Sequence, residues 1–336
     1  MKVKGKNIYW LIAAFALSAW PHSLLAAGDL PKFRLVQSGH TAMSWPIYIA
    51  KDQKLFEKNG IDFEEIIVRG ATNTTRTVLS NTVPVGRINP DYVITAMEKG
   101  AKVKIIAGSL DKIPYNLMAR PEIKTGADLK GKTIGVSSLT GGTTLMLHEV
   151  MEKAFKLKEN DYKLLVVGTS PDRYAALKGG SVQATFMGPP FNIRAMNEGY
   201  TNLAVWHDYL GPIQFVVTFA HNDYLKDHRD ETVAYLKSII QATQWFYDTN
   251  NKEQAIALHM KVLKSKPSVA EADYKYLAED FKPFSPEGEV SDAGMKKTMG
   301  LRVADGMYKG KKVPSYTDFV DDSYVKEALK ELHMPN

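Results

Sequence analysis

Cysteine is absent from all 336 residues. That absence excludes a disulfide framework, a thiolate nucleophile, a cysteine-ligated zinc or iron–sulfur centre, and a lipid anchor on an N-terminal cysteine. A run of about 20 apolar residues, long enough for a bilayer, is also missing; the stretch IYWLIAAFALSAW ends at residue 20 after starting at residue 8. Basic runs interleaved with aromatics are lacking too. The formal charge is +6, but Lys2, Lys4 and Lys6 supply three of the 43 basic residues, and the rest nearly balances the 37 acids. Such a balance implies no nucleic-acid partner.

Several catalytic signatures are missing as well. A phosphate-binding G-x-x-x-x-G-K-[ST] fails because Thr143 follows Gly141-Gly142. No G-x-G-x-x-G opens the first strand–helix unit. GVSSL and GTSPD lack the second glycine of a G-x-S-x-G elbow. No H-x-x-x-H pair occurs, and His148 stands alone in a helical pattern. Neighbours on a strand point to opposite faces, so Glu64-Glu65 cannot share a proton. Solvated charge is the reading of that pair and of Asp321-Asp322. No catalytic residue, metal site or cofactor is expected.

The N-terminus reads as a secretory signal over residues 1–27. MKVKGKN is a basic region, the apolar core follows, and PHSLLAAG offers small residues for cleavage after Ala26 or Ala27. The mature chain is expected to be soluble in a bacterial periplasm.

Beyond residue 28, short apolar runs alternate with helical patterns. Strands are expected at 33–38, 61–68, 83–88 and 102–108, and helices at 45–60, 74–81 and 90–100. Strands at 132–138, 162–168 and 182–188 and helices at 143–155, 171–180 and 189–199 repeat the rhythm, with further strands at 202–208 and 213–220. This predicts an α/β fold with two similar, mainly parallel sheets. Residues 222–336 read as helical, with Ser268 and Glu271 fitting a capping box.

The strand-to-helix junctions of open parallel sheets gather where ligands bind. Helix N-termini there present free N–H groups and positive potential. SSLTGGTT at 137–144 is one such junction: Ser137, Ser138, Thr140 and Thr143 can donate to an anion, and Gly141 and Gly142 permit close backbone approach. Ser38, His40, Ser44, Asn73, Asn89, Thr169 and Pro189 lie at the other junctions. Arg69 and Arg87 each follow a strand at its rim end and suit bidentate capture of an oxyanion. Trp45, Tyr115 and Phe191 are candidates for stacking on an organic body.

Four stretches carry a resemblance: WPIYIAKDQKLFEKNGIDFE (45–64), TAMEKGAKVKIIAG (95–108), IKTGADLKGKTIGVSSLTGGT (123–143) and RYAALKGGSVQATFMGPP (173–190). They resemble the periplasmic substrate-binding proteins of ABC importers, in the branch serving nitrate, taurine, alkanesulfonates and thiamine pyrimidine precursors. Lys54 departs from the glycine common before LF in that family. VPVGRI and GGSVQAT lack the acid often found there. The resemblance implies a two-lobed periplasmic-binding-protein fold of type II-like form, crossed twice, near Ile113–Ala119 and Gln214–Phe219. Lobe one would hold residues 28–115 and 217–336, with the helical tail, and lobe two residues 116–216. It implies a monomer that captures a small organic anion, a sulfonate or carboxylate with aromatic ones included, and hands it to an inner-membrane permease. The alternatives are import of a thiamine pyrimidine precursor, a pyrimidine-synthase-like enzyme on the same fold, and a sensor that passes its ligand to a receptor kinase.

Overall fold

β1 (Lys32–Gln37) opens the first sheet. Its last three residues, Leu35, Val36 and Gln37, are all buried, as both faces of the sheet are covered there. The computed structural model describes residues 29–334; the leader expected at 1–27 lies outside the described residues. After β1 the chain runs through α1 (Trp45–Asp52), α2 (Leu55–Lys58), β2 (Asp62–Ile67), α3 (Ala71–Leu79), β3 (Val85–Ile88), α4 (Pro90–Glu98) and β4 (Val103–Leu110). The single helix expected over 45–60 is two. Lys54 sits between them at φ +53, a left-handed conformation that glycine adopts without strain.

The second sheet starts with β5 (Asn116–Ala119), four buried residues in a stretch that the sequence reads as a crossing and not as a strand. It continues through β6 (Thr133–Val136), α5 (Gly142–Phe155), β7 (Lys163–Val166), α6 (Ser170–Gly179), β8 (Ala184–Met187), α7 (Phe191–Asn197), β9 (Thr201–Val205) and α8 (Trp206–Leu210). β10 (Val216–His221) then returns to the first sheet. The strand orders are β2-β1-β3-β10-β4 and β7-β6-β8-β5-β9. β10 pairs antiparallel with β3 and β4, and β5 pairs antiparallel with β8 and β9. The other four strands of each sheet share one direction. Each sheet is thus a parallel set split by one reversed strand, placed next to a crossing between lobes.

Asn89 caps α4, its side chain accepting from Asp91 N–H, with Pro90 at the first position. Thr169 caps α6 in a box with Asp172, and Pro171 stands in the helix's first turn. The tail comprises α9 (Asn222–Asp227), α10 (Arg229–Tyr247), α11 (Lys252–Leu263), α12 (Pro267–Tyr274), α13 (Asp292–Ala304) and α14 (Ser323–Glu331). Lys266 precedes Pro267 as the cap of α12, so Ser268 is already inside the helix and forms no capping box. α10 packs on α1, α14 and β1. Among the described residues no helix is long and apolar enough to cross a membrane.

Trp45, expected to stack on a ligand, is fully buried in this core. Its ring lies 4.8 Å from Phe246 and 4.5 Å from His259. The tail helices occupy the face on which a ligand would have stacked. Beneath it His259 Nε2 stands 2.9 Å from Asp273 Oδ2, both buried. Trp45→Ala is expected to lower the unfolding free energy by about 3–5 kcal/mol, read by urea denaturation; a loss below about 1 kcal/mol would remove Trp45 from the core.

Candidate functional site

A cavity of about 150 Å³ lies between the two sheets at the carboxyl ends of their strands. The turn after β1 brings Ser38, Thr41 and Ser44 to its wall, and β3 brings Arg87 and then Asn89. The second lobe contributes Ser137, Thr143, Thr169, Ser170 and Arg173. Tyr115 and Phe215, on the two crossing segments, line it near the lobes' junction, 5.0 Å apart at their ring centres. Among the described residues, no aspartate, glutamate, histidine or lysine lines the cavity.

Two buried guanidiniums dominate it. Arg87 is 7% exposed. Its Nη1 donates to Gln37 Oε1 at 2.8 Å and to Ser44 Oγ at 3.3 Å, and its Nε to Ser109 Oγ at 3.4 Å. Gln37 in turn donates to Glu65. So the nearest carboxylate stands one amide away, and it also faces Lys51 Nζ at 3.3 Å. Glu64 is exposed on the opposite face of β2, whereas the Glu65 carboxylate is buried, against the solvated reading of both.

Arg173 is 2% exposed and projects from the second turn of α6. Its Nε donates to Phe186 O at 2.9 Å and its Nη2 to Ser170 Oγ at 3.1 Å, while Nη1 donates to Gly168 O. The guanidinium lies 4.2 Å over the Phe186 ring. Burial pushes both guanidiniums below their ordinary value. An arginine side chain is not deprotonated in proteins, so both stay charged. Among the described residues, the hydrogen-bond partners of both are neutral groups.

The other residues expected at the site divide clearly. Ser38, Ser44, Arg87, Asn89, Tyr115, Thr143 and Thr169 line the cavity. Arg69 does not: its Nη2 reaches Asp172 Oδ1 at 2.8 Å across the cleft, with 74% of the side chain exposed. Burial raises the Asp172 pKa, but Thr169 and Arg69 outweigh it and hold the carboxyl below its usual range. Asn73 donates to Arg69 O at 2.8 Å. His40 is exposed, 3.4 Å from the Tyr48 hydroxyl. The Ser138 hydroxyl is 3.0 Å from that of Tyr92 on the other lobe, and the Thr140 carbonyl accepts from Ser138. Pro189 O accepts from Ala42 N–H at 3.3 Å, again between lobes. Phe191 packs on Tyr174 with ring centres 5.7 Å apart, on the outer side of α7.

Gly141 and Gly142 stand against residues of the first lobe. A Cβ at Gly141 would lie 2.9 Å from the Tyr92 hydroxyl, and one at Gly142 would overlap Asn89 Oδ1 and stand 3.0 Å from Asp91 Cβ. Asn89 cannot swing aside, because Oδ1 caps Asp91 N and Nδ2 donates to Phe215 O at 3.1 Å. The glycines let two lobes approach, where the sequence suggested approach to a ligand. Arg173, Gln37 and Tyr92 were not among the expected site residues. Arg173 had one signal: it stands two residues after Pro171, in the first turns of a rim helix.

Two lobes closed on a small cavity form the fold of periplasmic binding proteins. The chain belongs to the NMT1/THI5-like family, whose model matches residues 41–253. The putative aliphatic sulfonates-binding protein of Bacillus subtilis (strain 168) is 23% identical over 340 residues, 97% of each chain. The putative binding protein YtlA of the same organism is 23% identical over 248 residues, 72% of this chain and 74% of its own. The solved alkanesulfonate-binding protein SsuA from Xanthomonas axonopodis pv. citri, bound to MOPS, superposes with a TM-score of 0.71 at 17% identity, over 88% of this chain and 100% of that one.

Gly142→Ala is expected to disfavour the closed form by about 1–3 kcal/mol, the usual range for overpacking. X-ray scattering should then require more of any compacting ligand than the wild type needs, while the urea midpoint stays unchanged. An equal ligand requirement would place the lobe contact elsewhere.

Proposed function

We propose that this chain is the solute-binding component of an ABC import system, acting in the periplasm. It takes a small organic anion, a sulfonate or carboxylate, between its lobes and delivers it to a membrane permease. One observation carries this reading: two buried arginines, one from each lobe, line one cavity whose wall, among the described residues, holds no acidic side chain. Burying an unpaired charge is costly. An oxyanion that accepts from both guanidiniums offsets that cost only when the lobes are together. Ligand therefore favours the closed form through differential contact.

The surrounding wall supports capture over turnover. Ser38, Ser44, Ser137, Thr143 and Thr169 are hydroxyl donors, and no cavity-lining side chain is a carboxylate or imidazole to serve as general base. Met43, Ile88, Phe215 and Val216 give an apolar patch for a short organic body. A neutral pyrimidine precursor would leave both guanidiniums without counter-charge, which makes it the weaker candidate.

The test is a thermal-shift and calorimetry panel on mature protein, unfolded and refolded to strip carried ligand. It would contain short sulfonates, short carboxylates, nitrate and an aminopyrimidine. A ligand at 100 times its Kd adds about 2.7 kcal/mol of stability. One anion class should shift the wild type, and Arg87→Gln or Arg173→Gln should each weaken binding by about 2 kcal/mol or more, roughly thirtyfold in Kd. A shift with the aminopyrimidine alone would overturn the anion reading.

A further inference from the structure

The geometry points to a ligand with two negative charges, one held by each lobe, and no ammonium group; this rests on the anion-binding reading above. Charge balance inside the closed cavity sets the charge of the ligand. Arg87 enters from the first sheet and Arg173 from the first helix turns of the second lobe's rim. Both are at least nine-tenths buried, and each holds its guanidinium in place through neutral acceptors.

The neighbouring carboxylates are already committed. Glu65 is held by Gln37 and by Lys51. Asp172 accepts from the Thr169 N–H at 2.9 Å and its hydroxyl at 2.7 Å and pairs with Arg69. Each of these acids thus has its own cation, Lys51 or Arg69; Glu65 and Asp172 act on Arg87 and Arg173 through space, but neither bonds directly to a buried guanidinium. A third buried arginine shows the contrast. Arg302, 1% exposed, meets two carboxylates directly, Asp91 and Glu98, and lies outside the cavity. Where this fold buries an arginine for structure, it supplies acids. At the cavity it supplies none.

A monoanion would neutralise one guanidinium and leave the other buried with neutral partners. A compact dianion satisfies both, and it can touch both only in the closed form. Donors remain for it: Arg173 uses three of its five N–H groups, leaving one on each terminal nitrogen. The same wall disfavours a zwitterion: among the described residues it offers an ammonium no carboxylate, only hydroxyls, amides and the weaker faces of Tyr92, Tyr115 and Phe215, and two guanidiniums repel it. Size sets the rest of the class. A cavity of about 150 Å³ holds a benzene-sized body, which suits a two-carbon or three-carbon sulfocarboxylate, phosphonate or dicarboxylate.

Three probes of one carbon skeleton separate the charges: sulfoacetate, a dianion; ethanesulfonate, a monoanion; and taurine, a zwitterion. Calorimetry on the refolded mature chain at neutral pH should give sulfoacetate at least about tenfold tighter binding than ethanesulfonate, with taurine weakest; tenfold is about 1.4 kcal/mol. In Arg173→Gln the ratio of sulfoacetate to ethanesulfonate affinity should fall to about one, and a matched urea midpoint shows that the variant is folded. The wild-type ratio tests the idea even if that variant fails to fold. Ethanesulfonate or taurine binding as tightly as sulfoacetate would overturn the dianion and leave the anion receptor standing. Binding of the aminopyrimidine with none of the three would overturn both.

Discussion

The burial of two guanidiniums with only neutral partners is the constraint on which the rest of this structure depends. A charge in that state is tolerable only if neutral acceptors fix it and something else completes it. The protein does the first part with backbone carbonyls for Arg173 and with the Gln37–Ser44 pair for Arg87. Gln37 has a second duty. Its carbonyl oxygen faces the arginine while its amide faces Glu65. The amide thus stands between the guanidinium and the Glu65 carboxylate and keeps the two from bonding directly.

The reversed strands explain how both arginines reach one point. β10 enters the first sheet between β3 and β4, and β5 enters the second between β8 and β9. Each is continuous with a crossing segment, so the crossings are anchored in the middle of a sheet and not at an edge. Tyr115 and Phe215 sit on those segments, next to each other and against the cavity. The ends of the parallel strands on either side are thereby held toward a common space. This is why junction residues far apart in sequence, such as Ser44, Asn89, Ser137 and Thr169, line one wall.

The alternating strand and helix pattern was legible because the central strands of both sheets are covered on two faces and leave apolar runs. Most strands fall within two or three residues of the spans the pattern suggests. β5 was not legible: four residues flanked by Tyr115 and Arg120 carry no periodicity. The junction argument found Arg87, because it closes an apolar strand. It missed Arg173, which looks like an ordinary helical surface charge until the fold shows Phe186 beneath it. Arg69 and Trp45 satisfied the same local logic as Arg87. Their fates were decided by partners more than 100 residues away, Asp172 and Phe246. Gly142 shows the same limit, since Asn89 is the atom group that makes a side chain there impossible.

The contacts that hold the lobes together are individually weak. The Arg69–Asp172 pair is largely exposed on the arginine side, and such pairs are worth about 0–1 kcal/mol. The Tyr92–Ser138 contact, the Ala42–Pro189 hydrogen bond and the Lys297–Glu149 pair join it. Against them stands the repulsive arrangement of two buried cations drawn to one cavity. On the proposed reading, a lobe interface built from such polar contacts opens when no anion fills the cavity. The balance between open and closed is then set at the arginines, and the lobe contacts mainly fix the geometry in which the closed form is reached. Stronger lobe contacts would close the protein without its ligand, and a carboxylate beside either arginine would remove the reason to close at all.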